Sequence, residues 1–137
     1  MLMYHFVCTA KYRKVVLTGP VDELLKRLCL EIEKRYEIRF LEIGTDKNHV
    51  HFLIQSPPTL SPQRIIQTIK SITAKEIFKQ MPDVKMKLWG GEFWSKGYYV
   101  NTVALYGSEN AVRAYIRSQG TKDYHQLHQS PATLFDH

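Results

Sequence analysis

The run His49-Val50-His51-Phe52-Leu53-Ile54 constrains the fold of this chain more than any other segment. Side chains alternate across a strand. Read as a strand, the run puts Val50, Phe52 and Ile54 on one face, an apolar floor for helices. His49 and His51 share the other face, side by side, where both imidazoles can reach one metal ion. The plainer reading of an H-x-H pair is two half-exposed strand histidines. Its surroundings favour the first reading: the pair follows a turn, and the topology below centres its strand.

The remaining elements follow from periodicity. Residues 3–9 predict a first strand, and Lys11-Tyr12-Arg13-Lys14 a basic loop or strand end after it. Gly19-Pro20 opens a helix over about 21–36, because proline is tolerated in a first turn. Its apolar stripe is Val21, Leu24, Leu25, Leu28, Cys29, Ile32 and Tyr36. Ile38 to Ile43 predicts strand two, and Gly44 to Asn48 a turn. The His-bearing strand ends before Pro57-Pro58. Ser61-Pro62 then caps and starts a second helix. Ile65, Ile66, Ile69, Ile72 and Ile77 line its inner side, and Gln67, Ser71, Lys75 and Lys79 its outer side. Met81-Pro82 ends that helix, and Phe93 to Val103 predicts strand four. A last helix, about 109–119, is closed by Gly120. Thr121 to His137 is a polar tail that the pattern does not assign. The fold class is α+β: a ferredoxin-like split β-α-β antiparallel sheet with an additional C-terminal helix. Strands one and three lie in the middle, and both helices cover one face. The domain spans 1–120 and the tail 121–137.

The 137 residues suit one domain with a real core. The chain lacks an apolar run long enough for a membrane span or a signal peptide. Cys8 and Cys29 are read as small buried hydrophobes in a reducing compartment, so the expected location is cytoplasmic. The net charge of +6 is unevenly placed. Residues 1–20 carry Lys11, Arg13 and Lys14 and no acid. Residues 61–90 carry Arg64, Lys70, Lys75, Lys79, Lys85 and Lys87 against Glu76 and Asp83. Clustered basic residues attract polyphosphate backbones through counterion release, although solubility alone also uses such charge.

Tyr115 and Gln119 are four apart and share one face of the last helix. One reading makes Val112-Tyr115-Ile116-Gln119 an inner packing stripe. Gln119 is costly in a dry core, however. A phenol and an amide oxygen turned together toward a metal site explain it more economically. The phenol is then a nucleophile and the oxygen a ligand. Leu88 to Val100 is dense in aromatics and glycine; its rings either stack on unpaired bases or pack in the core. His5, His125, His128 and His137 show no spacing that suggests a site and are taken as surface or terminal residues.

Four segments, in this order, resemble one known family. They are Lys11-Tyr12-Arg13, Asn48 to Leu53, Trp89 to Tyr99 and Tyr115-Ile116-Arg117-Ser118-Gln119. The family is the single-tyrosine transposases of small bacterial and archaeal insertion sequences, within the His-hydrophobe-His nuclease superfamily. The resemblance implies that His49, His51 and Gln119 bind Mg²⁺ or Mn²⁺ and that Tyr115 is the nucleophile. Tyr115 takes a 5′ phosphate from single-stranded DNA and frees a 3′ hydroxyl. It also implies a homodimer that joins sheets edge to edge, with active sites often shared between subunits, and binding of hairpins near the element's ends. Lys11, Arg13, Lys14, Arg64, Lys70 and Lys75 are then placed near DNA. Many relatives carry Asp where Asn48 stands. Two imidazoles suit Mn²⁺ at least as well as the oxygen-seeking Mg²⁺.

Rival enzymes fit less well. A histidine-triad hydrolase needs a third alternating His, and residue 53 is Leu. Two-histidine phosphoesterases need two separated H-x-T or H-x-S motifs, and the sequence holds only one, His128-Gln129-Ser130. A non-catalytic nucleic-acid binder on the same fold, or a domesticated relative acting on dispersed hairpin repeats, stays as the alternative.

Overall fold

The computed structural model describes residues 1–103 and the backbone of residues 123–126. The His-bearing run forms β3 (His49–Ser56), which pairs antiparallel with β1 (Leu2–Thr9) from Leu2↔Ser56 to Thr9↔His49. β2 (Arg39–Asp46) lies on the other side of β3, and β4 (Tyr99–Thr102) pairs with β1. A fifth strand, β5 (Asp123–Gln126), comes from the segment the sequence left unassigned and pairs with β2. The sheet order is β4-β1-β3-β2-β5, all antiparallel, so strands one and three are central as expected.

Alternation decides which face the helices take. Tyr4, Phe6 and Cys8 of β1 and Val50, Phe52 and Ile54 of β3 project to one side. They meet Leu24, Leu25, Cys29 and Ile32 of α1 (Gly19–Arg35) and Ile65, Ile66, Ile69 and Ile77 of α2 (Pro62–Gln80) in one buried cluster. Ser61 caps α2, its side chain accepting from the Arg64 N–H at 3.2 Å. Phe52 sits at the centre of this layer, fully buried and edge-on to Phe40 at 5.6 Å. Phe52→Ala is expected to cost about 3–5 kcal/mol through lost transfer energy and an unfilled cavity. Urea denaturation of purified variant and wild type measures it.

The structure departs from the sequence reading in several places. β2 continues through Gly44, Thr45 and Asp46, so the turn is only Lys47-Asn48, with Lys47 at φ 51°. The register across from His51 and Val50 holds Gly44 and Thr45 in the ladder. α2 is followed by a short α3 (Pro82–Lys87), which buries Val84. Strand four starts at Tyr99, not Phe93. Phe93 and Trp94 turn into the core instead, and Gly97 takes a positive φ of 80° just before the strand. On α2, Ile72 is only half-buried, and Thr73 takes an inner position. Its hydroxyl donates to the Ile69 carbonyl and accepts from Trp94 Nε1 at 2.9 Å. Tyr36 ends α1 exposed rather than in its stripe. Cys8 and Cys29 are buried free thiols, and burial pushes Cys8 up to about 12, so it stays protonated. Among the described residues no helix is long and apolar enough to cross a membrane. The helix over 109–119 with Val112, Tyr115, Ile116, Gln119 and Gly120 lies outside the described residues.

Candidate active site

The hairpin Asp46-Lys47-Asn48-His49 brings the first imidazole to the start of β3. Its closing pair, Asp46↔His49, sets the two side chains on the sheet face opposite the helices. Asn48 Oδ1 lies 2.9 Å from His49 Nδ1. A carbonyl oxygen only accepts, so His49 carries a proton on Nδ1, and Nε2 is the nitrogen left to face a ligand. At position 48 an amide oxygen thus holds the ring, by a neutral hydrogen bond weaker than one to a carboxylate. Asp46 Oδ2 stands 3.8 Å from that Nε2. This is too long for a hydrogen bond but close enough to balance positive charge placed between them.

His51 follows two residues on, its ring centre 5.2 Å from that of His49. Across the ladder it faces Gly44, which brings no side chain to the face beside the ring. His51 is 4% exposed, and desolvation, reinforced by His5 and His49, holds it down to about 4. It is therefore neutral at pH 7, the form in which imidazole ligates metals.

His5 overturns its reading as a surface residue. It is 0% exposed, and burial lowers its pKa as well. Strand alternation from Tyr4 and Phe6 puts it on the His51 face, and the β1–β3 register seats it diagonally from His51. His5 Nε2 meets His51 Nδ1 at 2.9 Å, and His5 Nδ1 meets Asn101 Oδ1 of β4 at 3.3 Å. The alternation of β1 was a usable signal for His5. Nothing in sequence order points to Asn101, because its partner is 96 residues away.

The donor chemistry fits a divalent ion in part. His49 and His51 supply two imidazoles on one face. Among the described residues no third His, Cys, Asp or Glu completes a metal-holding cluster with them. Gln119 and Tyr115 lie outside the described residues.

The basic turn lies at the same end of the sheet. Thr9 pairs with His49, and the Ala10 N–H donates to the Asn48 carbonyl at 2.8 Å. Lys11–Arg13 then forms a 3-10 turn in which Tyr12 and Arg13 both have positive φ, 59° and 51°. Non-glycine residues in that region cost of order 1 kcal/mol each. Bonds from the Lys11 N–H to the Phe93 carbonyl and from the Arg13 N–H to the Ala10 carbonyl hold the turn. The result is an exposed aromatic pair: Tyr12, 52% exposed, lies against Trp89, 74% exposed, at 5.9 Å and 22°. Lys11 pairs with Glu92 at 2.8 Å, which raises the lysine and lowers the acid. Arg13 and Lys14 are exposed beside the pair.

Of the basic residues on α2, Arg64 and Lys75 are solvent-facing. Lys70 is engaged: its ammonium donates to the Ser95 and Gly97 carbonyls and clamps the aromatic segment onto α2. Gln63, Gln67, Lys70, Trp94, Lys96 and Tyr98 line a groove of about 480 Å³ between that segment and the helix.

Fold and side chains together define a class of α+β proteins that set a strand-borne H-x-H pair beside a basic, aromatic turn. Residues 1–119 match the family described as "Transposase IS200 like", and the chain belongs to that transposase family. It is 32% identical over 125 residues to the ISDra2 transposase TnpA of Deinococcus radiodurans, covering 89% of this chain and 86% of that protein. It is equally 32% identical to the transposase for insertion sequence element IS200 of Salmonella typhimurium, covering 88% and 78%. The crystal structure of a candidate transposase from Deinococcus radiodurans R1 superposes with a TM-score of 0.70 at 27% identity, over 86% of this chain and 90% of that one. A REP-associated tyrosine transposase bound to a REP hairpin shares the fold, with a TM-score of 0.59 at 10% identity over 84% of this chain and 62% of that one.

Proposed function

We propose that this transposase binds hairpins at the ends of a mobile element and cuts and rejoins single-stranded DNA through Tyr115. The observation that carries the reading is the pair His49 and His51, set together on the face opposite the helices, each with its Nδ1 engaged by a neighbouring side chain. His49, His51 and Gln119 would hold Mg²⁺ or Mn²⁺. Bound there, the ion would neutralise charge on the phosphate and align it for in-line attack.

The covalent step belongs to the chain. The Tyr115 phenol, ordinarily with a pKa of about 10, loses its proton as its oxygen bonds to phosphorus. The bond from phosphorus to the 3′ oxygen breaks, and that oxygen takes a proton and leaves as a 3′ hydroxyl. A 5′-phosphotyrosine remains. The ester keeps the energy of the broken bond, so an incoming 3′ hydroxyl can reverse the step and join strands. The exposed Tyr12–Trp89 pair and the neighbouring Arg13 and Lys14 suit unpaired bases and phosphates. Lys11, Arg64 and Lys75 would extend that contact. Lys70 would act indirectly, by holding the aromatic segment. A homodimer joined through a sheet edge has β4 and β5 as its available strands.

The test is incubation with labelled single-stranded DNA carrying terminal hairpins and Mn²⁺, followed by denaturing electrophoresis. A protein–DNA adduct that survives denaturation and needs the divalent ion is expected. A native-gel shift with no adduct at any metal concentration would replace this reading with that of a hairpin-binding protein without catalysis.

A further inference from the structure

His5 and Asn101 lie outside the four segments that carry the family resemblance; His5 reaches His51 from the neighbouring β1, and Asn101 of β4 reaches His5. We propose that they are positioning residues: a relay from Asn101 through His5 fixes His51 in the tautomer that leaves Nε2 open to a divalent ion. The proposal rests on the metal-dependent reading above only for its consequence; the relay itself is a matter of hydrogen-bond direction.

The direction can be followed atom by atom. Asn101 Oδ1 has no proton to give, so the 3.3 Å contact requires the proton on His5 Nδ1. A neutral His5 then has a lone pair on Nε2. That nitrogen lies 2.9 Å from His51 Nδ1, so His51 must donate. With its proton on Nδ1, neutral His51 keeps a lone pair on Nε2. The ring geometry agrees: the two imidazoles are within 12° of parallel, with centres 5.2 Å apart. A nitrogen-to-nitrogen distance of 2.9 Å leaves room for such a spacing when the rings meet end to end. That is the geometry of an N–H···N bond and not of face-to-face stacking.

His49 is treated the same way by a different residue, since Asn48 Oδ1 receives its Nδ1 proton. Both rings of the pair therefore have their second nitrogen tied to an acceptor. Such outer hydrogen bonds orient a metal-binding imidazole, and losing one typically lowers metal affinity about 10–100-fold. The arrangement is also buried at His5 and His51, so water does not readily substitute for the missing partner.

Long-range ¹H–¹⁵N correlation spectra of the metal-free protein read the His51 tautomer directly. The proton is expected on Nδ1 of both His5 and His51. A His51 proton on Nε2 in the wild type would overturn the proposal with no variant needed. His5→Phe should release the tautomer preference and lower Mn²⁺ affinity, followed by electron paramagnetic resonance, about 10–100-fold. His5→Gln, whose side-chain oxygen can accept from His51, should restore most of it. Asn101→Ala, at the sheet's β4 side, gives a weaker effect in the same direction and serves if His5→Phe does not fold. A folded His5→Phe protein with unchanged tautomer and unchanged Mn²⁺ affinity would also overturn it. If the tautomer behaves as described but no variant and no wild-type protein binds Mn²⁺, the relay stands and the metal-dependent reading fails.

Discussion

Tyr115→Phe is expected to abolish the covalent protein–DNA adduct while leaving hairpin binding intact. The substitution removes one oxygen atom and keeps the ring, so packing of the ring in either reading of the last helix is nearly preserved. Only the reactive group is lost. No other group of the described site is a ready substitute, since His49 and His51 are assigned to the ion. Removing a nucleophile of this kind costs at least about 10³-fold in rate, or ~4 kcal/mol of barrier. Native gels should show the same shift as wild type, because the phosphate and base contacts proposed for Arg13, Lys14, Tyr12 and Trp89 are untouched. An adduct of wild-type yield in Tyr115→Phe would move the nucleophile elsewhere. Equal loss of binding and adduct would instead assign Tyr115 to packing.

The sequence revealed the central sheet more fully than the site. The alternation in Val50, Phe52 and Ile54 fixes which face is apolar, and a period of two leaves no other assignment for His49 and His51. The helix stripes were nearly as plain, because each needs only local spacing, although Tyr36 and Ile72 fall outside the buried faces. What was not legible depends on contacts between distant segments. His5 is a lone polar residue in an apolar run, and only the pairing of β1 with β3 shows that it reaches His51. Asn101 belongs to the same case. The aromatic segment was ambiguous for a different reason. Burial of Phe93 and Trp94 but not Trp89 follows from the fold of the loop after α3, which composition does not encode. The run from Phe93 had strand-like residues and does meet the end of β1, but only through the single antiparallel bridge Ala10↔Trp94, and it rejoins β1 as β4 at Tyr99.

His51→Ala separates the ion from the nucleophile. His51 is the better buried of the pair, neutral, and tied through Nδ1 to His5, so its removal deletes one of two strand-borne donors. Losing an outer hydrogen bond already lowers metal affinity about 10–100-fold, so losing a direct ligand should exceed about 10²-fold. Mn²⁺ titration followed by electron paramagnetic resonance measures this without any DNA. The same titration on Tyr115→Phe should match wild type within about a factor of three, since a neutral phenol adds little to metal binding. Adduct formation should be lost in both proteins. The double variant should be no slower than either single variant, because groups that act on one step as a unit are not additive. Addition of EDTA to wild type should reproduce the His51→Ala phenotype and restore on Mn²⁺ excess, whereas His51→Ala should recover little at the same Mn²⁺ concentration. Full Mn²⁺ affinity in His51→Ala, with the fold intact by circular dichroism, would remove His51 from the proposed ligand set and leave the strand pair as a structural feature of the sheet.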